Sequence, residues 1–148
     1  MLANRAIFSK SDSTMLPNAY WGVGLAWEAD LLVISKRGYL TEIEIKISKA
    51  DLIADARKHK FHIIDRHPYN KLIKNFYYAI PEHLESVFPV KYLERAGLIL
   101  VPNNMDEPCR VKHKAPTNKL AEPLTAEMQM KALRLLGIRF WASYKAET

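Results

Sequence analysis

The chain is short of most of the features that would give it away at once. It has one cysteine, Cys109, among 148 residues, so no internal disulfide framework exists and a reducing, cytoplasmic setting is expected. Five glycines are too few for a glycine-rich repeat or a flexible linker. No apolar run approaches the roughly 18 residues of a membrane span, and Met1–Lys10 lacks the apolar core of a secretory signal. Internal repeats and low-complexity tracts are missing as well. The five histidines make no complete zinc set. His59, His62 and His67 are near one another, but no cysteine or fourth histidine follows nearby.

What remains has the ordinary balance of a globular domain. Apolar residues make up 49% and charged residues 26%, which fits one domain over 1–148 with a real hydrophobic core. Twenty-two Lys and Arg against sixteen Asp and Glu give a net charge of +6 and a pI near 9.4. That excess favours a polyanionic partner without identifying one. Between Lys46 and Lys74 there are eight basic residues and three acidic ones. Arg110, Lys112, Lys114 and Lys119 form a second group. Lys49, Lys58, Lys60, Lys71, Lys74, Arg110, Lys112 and Lys114 are the candidate phosphate contacts. A solvated charged surface is the plain alternative for each of them.

The most informative stretch is residues 28–47. Two apolar runs flank Ser35-Lys36-Arg37-Gly38, which reads as a β-hairpin. With a three-residue loop at 36–38, paired residue numbers sum to 74, and Asp30 lies opposite Glu44 and Glu28 opposite Lys46. Glu42, Glu44 and Lys46 alternate along one side of the second arm. Facing carboxylates repel across a strand pair, and a hard divalent cation is the usual reason to tolerate them. Asp30, Glu44 and the Ile45 carbonyl are the candidate ligands of Mg²⁺ or Mn²⁺. Lys46 would orient a water and offset charge on a phosphate. The reaction class that follows is metal-assisted hydrolysis of a phosphodiester. The plain alternative is a solvated hairpin face with a Glu–Lys pair. A two-residue loop would send Asp30 to the side opposite Glu44.

Elsewhere, residues 2–9 read as a short helix, 11–14 as a loop or helix start, and 20–27 as a strand leading into the hairpin. Ser48-Lys49-Ala50-Asp51 has the spacing of a helix cap, with Leu52, Ile53 and Ala56 as an apolar stripe. Phe76–Ile80 reads as a strand closed by Pro81, residues 82–88 as a helical turn, and 97–101 as a strand buried on both faces. Residues 109–114 suit an edge strand, and Thr125 caps a last helix to about 144 with Met128, Leu135, Leu136 and Ile138 among its apolar positions. The alternation points to an α/β fold around a mixed sheet.

Asp30, thirteen residues, then Glu44-x-Lys46, on adjacent strands with a helix after, resembles the PD-(D/E)XK nuclease superfamily. The proline of that motif is replaced by Ala29. Glu44–Asp55, Phe76–Pro81 and Ala96–Val101 in that order resemble its MmcB-like DNA-repair family. The likeness covers about residues 28–101. It implies a restriction-endonuclease-like αβββαβ core, a DNA substrate cut with Mg²⁺ or Mn²⁺, and a bacterial or phage host. It implies Asp30, Glu44 and Lys46 as the catalytic set, with Glu28, Glu42, Ser48 and Asp51 as possible additions. Ser48 and Asp51 have a helix-capping explanation as well. Asp55 and Lys58, one turn further along, approach the site from its side. A non-catalytic DNA-binding or repair-scaffold protein on the same fold is the alternative, and a homodimer is a possible assembly.

Overall fold

The computed structural model describes residues 13–19, 28–55 and 71–146. These residues form a six-stranded mixed sheet in the spatial order β1-β2-β3-β4-β5-β6. The strands are β1 (Ser13–Ala19), β2 (Ala29–Ser35), β3 (Leu40–Ile45), β4 (Ile73–Pro81), β5 (Gly97–Val101) and β6 (Arg110–His113). Helix α1 (Lys49–Asp55) follows β3, two 3-10 turns (Glu82–Val87 and Val90–Glu94) separate β4 from β5, and α2 (Ala126–Ala146) comes last. β1, β2 and β3 form an antiparallel meander, β3, β4 and β5 run parallel, and β6 returns antiparallel. The α/β expectation holds, with the sheet flanked by helices.

The hairpin register is the one a three-residue loop dictates. Leu31 pairs with Ile43, Leu32 with Glu42, Val33 with Thr41 and Ile34 with Leu40. Ser35 closes the turn, donating its N–H to Tyr39 O at 2.9 Å and accepting Gly38 N–H at 2.8 Å. Gly38 takes φ +84°, a left-handed conformation that a side chain resists. β1 begins within the stretch 11–14 expected as a loop or a helix start. Pro17 and Asn18 argue against a strand, yet β1 is an edge of the described sheet, where a missing N–H is tolerated. The expected helix at 2–9, the strand at 20–27, and residues 56–70 lie outside the described residues.

Each sheet face has its own apolar cluster. The larger joins Leu32, Ile34, Leu40, Tyr78, Ile80, Leu98 and Leu100 to Leu52 of α1, to Leu84, Phe88 and Tyr92 of the 3-10 turns, and to Leu124 and Ala132 at α2. The smaller holds Leu31, Val33, Ile43, Ala79, Ile99 and Cys109. β5 divides its residues between the two, as a strand buried on both faces must. Gly97 sits opposite Tyr77, and a Cβ there would lie 2.3 Å from the Tyr77 ring and 2.6 Å from Ala115 N, so only glycine fits. Ser48 caps α1 as expected: its hydroxyl accepts the Asp51 N–H at 3.2 Å and bonds the Asp51 carboxylate at 2.8 Å. Thr125 Oγ1 accepts Met128 N–H at 3.2 Å at the start of α2. The apolar stripes are narrower than expected, since Ile53 and Ile138 are exposed.

Between β6 and α2 the chain crosses the hairpin end of the sheet. Asn118 N–H bonds Lys74 O at 2.8 Å, Glu122 N–H bonds Lys71 O at 2.7 Å, and Leu124 N–H bonds Gly38 O at 2.9 Å. Among the described residues, no helix is long and apolar enough to cross a membrane.

Candidate active site at the carboxyl ends of β3 and β4

Strand alternation puts Leu40, Glu42, Glu44 and Lys46 on one side of β3, and all four are buried. Their isoleucine neighbours, Ile45 and Ile47, are the exposed ones. The polar side of the hairpin therefore faces inward at this end, beneath α1. Parallel pairing sets Glu44 beside Tyr78, and Lys46 N–H continues the ladder to Ala79 O at 3.0 Å.

Lys46 organises the site. Its ammonium lies 2.8 Å from Glu44 Oε1 and 2.9 Å from Asp55 Oδ1, with little exposure on any of the three side chains. Tyr78 donates its hydroxyl to Asp55 Oδ2 at 2.6 Å, and Tyr92 donates to the Leu52 carbonyl at 3.2 Å. Phe76, Phe88 and Tyr92 pack on the Tyr78 ring with centroids 5.2–5.7 Å away. Burial opposes the Lys46 charge, but the hydrogen bonds and negative charges of Glu44 and Asp55 outweigh it and raise the lysine pKa. Burial, then the hydrogen bond and charge of Asp55, push the Tyr78 phenol well above its ordinary value. Burial followed by the Asp55 charge also raises Tyr92. A cation held firmly protonated between two carboxylates is the electrostatic centre of this end of the sheet.

Asp30 belongs to the same face. Extending the pairing one step beyond Leu31↔Ile43 puts it beside Glu44. There it does not simply repel its neighbour: Asp30 Oδ2 accepts the Ile45 N–H at 2.8 Å. Both opposed carboxylates thus have a positive or donor partner. Glu42 is fully buried one step further in, beside the apolar cluster, and Glu28 is exposed at the start of β2. Ser48 and Asp51 engage each other at the cap of α1.

The donor set of Asp30, Glu44 and the Ile45 carbonyl is all hard oxygen, which fits Mg²⁺ or Mn²⁺ in kind. Among the described residues no three His, Cys, Asp or Glu side chains gather as a metal cluster. The expected set contains only two such side chains and takes its third ligand from the backbone.

The basic residues are less concentrated than the sequence suggests. Lys49 is exposed at the first turn of α1, at the site end. Lys74 lies beside the Leu40–Thr41 bulge, with its ammonium 3.6 Å from the Tyr39 ring centroid, and Lys71 pairs with Glu122 at 3.8 Å. Both are at the hairpin end, Lys74 about 17 Å of strand from Ala79 and Lys46 and Lys71 beyond it. They do not flank the site, because β4 runs parallel to β3 and starts where β3 starts. Arg110 is level with Leu100, at the carboxyl end of β5, and Lys112 follows it along the edge strand. They lie near Glu82 and Glu85 of the first 3-10 turn, at 3.9 and 2.9 Å. Lys114 is exposed beyond β6, while Lys58 and Lys60 lie outside the described residues.

Asp55 does approach the site from its side, as expected; its pairing with Lys46, and the two tyrosines behind it, are contacts that the motif alone does not give. The signal was present in α1: Leu52 and Asp55 are three apart and share the buried face.

No family model matches the chain, and no curated protein matches it. The fold is similar to the solved structure of SPO1766, a protein of unknown function from Silicibacter pomeroyi, at a TM-score of 0.63 and 19% identity. The match covers 93% of this chain and 83% of that one. The likeness is one of fold.

Proposed function

We propose that the protein is a metal-dependent nuclease that hydrolyses DNA phosphodiester bonds, with Asp30, Glu44 and Lys46 as its catalytic set. The observation that carries this reading is the placement of a protonated lysine 2.8 Å from Glu44, on the face that Asp30 shares, at the carboxyl ends of parallel strands. Ligand sites in open α/β sheets favour that end. The order β1-β2-β3-α1-β4, an antiparallel meander followed by a strand parallel to β3, supports a restriction-endonuclease-like core. Asp30, Glu44 and the Ile45 carbonyl would hold Mg²⁺ or Mn²⁺. When bound, such an ion supplies Lewis acidity to water and to a phosphoryl oxygen. Lys46 positions the attacking water and offsets charge building on the phosphate. Glu44 and Asp55 hold the ammonium in place and keep it protonated. Lys49, Arg110 and Lys112 are the described cations at this end of the sheet that could meet the DNA backbone.

A second reading is a DNA-binding scaffold that does not cut. It is favoured by the closure of the network on itself: Lys46 is paired twice and Asp30 is bonded to the Ile45 N–H. Asp30→Asn separates the two readings. Asparagine keeps an oxygen acceptor for the Ile45 N–H and removes the charge a metal needs. Wild type should nick supercoiled plasmid or branched DNA with Mn²⁺ or Mg²⁺, and the variant should lose at least about 100-fold in rate with DNA binding retained. Equal cutting by the variant would sink the catalytic assignment. DNA binding by wild type with no cleavage under either metal would establish the scaffold.

A further inference from the structure

Among the described residues, the outer face of α2 carries the largest run of exposed apolar side chains. Met130, Leu133, Ile138, Phe140, Trp141 and Tyr144 are each between 49% and 66% exposed. The helix is fixed in place from its other side. Ala132 is buried, Met128 and Leu136 pack on the main core, and Arg139 donates to Pro17 O at 2.6 Å. Positions 130, 133, 137, 140 and 144 alternate spacings of three and four, the seam of a helix that pairs with another helix. Gly137 lies at the centre of that seam, and a Cβ there would meet nothing within 4 Å.

The two arms of the seam differ in chemistry. Before Gly137 stand Met130, Leu133 and Arg134. After it stand Phe140, Trp141 and Tyr144, with rings in edge-to-face contact at 5.8 and 6.1 Å. Arg134 and Lys145 border a groove with Gly137, Ile138, Trp141 and Ala142. A two-fold axis through Gly137 reverses the seam onto itself. Met130 then faces the partner's Tyr144, Leu133 the partner's Trp141, and Arg134 the partner's Phe140, each contact made twice. Thioether–aromatic, aliphatic–aromatic and cation–π pairs are all favourable. Glu127 of each first turn comes within a turn of the partner's Lys145, so the charges at the ends also match. The central glycines let the helix axes approach closely at the crossing.

We propose that the protein forms a homodimer in which α2 pairs antiparallel with α2 of a second copy across Gly137. The five apolar side chains that meet the partner, Met130, Leu133, Phe140, Trp141 and Tyr144, would bury roughly 500 Å² per copy, about the 1,000 Å² in total that a specific interface must clear. The proposal does not depend on the nuclease reading.

Sedimentation equilibrium of the full chain from about 1 to 200 µM tests it. Wild type should associate to a dimer and no further. Gly137→Leu fills space that is open in the single chain, and Leu133→Glu alters an exposed side chain, so both should keep the wild-type circular dichroism. Each should raise the dimer dissociation constant at least about 30-fold. Gly137→Cys should form a covalent dimer on mild oxidation, while Lys131→Cys, on the flank, should not. A monomer across the whole range would overturn the proposal, as would a dimer indifferent to both substitutions or a Gly137→Cys protein that does not cross-link. Monomeric binding of α2 to phosphatidylserine vesicles, lost in Leu133→Glu, would overturn it in favour of a lipid surface.

Discussion

Removing one oxygen from Tyr78 should give an effect that changes with pH in a calculable way. In Tyr78→Phe the ring keeps its packing on Phe76, Phe88 and Tyr92, but Asp55 Oδ2 loses a donor at 2.6 Å. A hydrogen bond to a charged, buried acceptor contributes about 2 kcal/mol, so the variant should be less stable by that amount at pH 7. The wild-type phenol has a folded pKa raised well above its unfolded value, so the stability it contributes is complete below about pH 10. Above that, the unfolded chain releases a proton that the folded one keeps. Stability then falls by about 1.4 kcal/mol per pH unit for this group. Lys46 adds a limb of the same sign, because its folded pKa is also raised, but it does so in both proteins and cancels in their difference. The gap between wild type and variant should therefore shrink from pH 10 and close near about pH 11.5. Urea unfolding followed by circular dichroism at pH 7, 9, 10, 11 and 11.5 measures it. A gap that stays constant across the series, or widens, would refute the placement of a neutral phenol on Asp55.

Two further substitutions test the packing around the site. Lys46→Met leaves Glu44 and Asp55 buried without their cation, which should cost about 3–5 kcal/mol and lower the melting temperature by about 10 °C. A cleavage defect in any Lys46 variant must accordingly be read beside its thermal melt. Gly97→Ala drives a methyl group into the Tyr77 ring and the Ala115 amide, and should destabilise by about 2–3 kcal/mol in urea titration; a loss under about 0.5 kcal/mol would show that β4 and β5 can part there at no cost.

Legibility in this sequence follows the range of the interaction. The hairpin register was readable because loop length and Gly38 fix it locally. The Ser48 cap, the strands at 76–80 and 97–101 and the last helix were readable for the same reason. β1 was hidden because its polar residues and Pro17 look like a loop, and only its edge position makes them acceptable. Lys71 and Lys74 could not be placed from the sequence, because a count of charges along the chain does not say at which end of a parallel strand they emerge. Lys71 precedes β4 and Lys74 stands near its start, so both fall at the far end from Lys46. The Asp55–Tyr78 contact joins a helix to a strand that the motif does not connect; the place of Asp55 one turn along α1 brought it to the site, but nothing in the sequence named Tyr78 as its partner.

The strap from Asn118 to Leu124 has a consequence for how the protein is made. The turn at 36–38 forms early in synthesis, from residues that lie side by side in the chain. Its outer carbonyl, Gly38 O, waits for Leu124 N–H, and the start of β4 waits for Asn118 and Glu122. On the ribosome the first three strands emerge well before the residues that fasten their tip. A nascent chain halted before Pro116 would have the meander and the Lys46 cluster but an open end. The fastening comes last because its residues are made last. Protease sensitivity at the hairpin tip, followed on chains stalled at successive lengths, should drop only when the strap has left the exit tunnel.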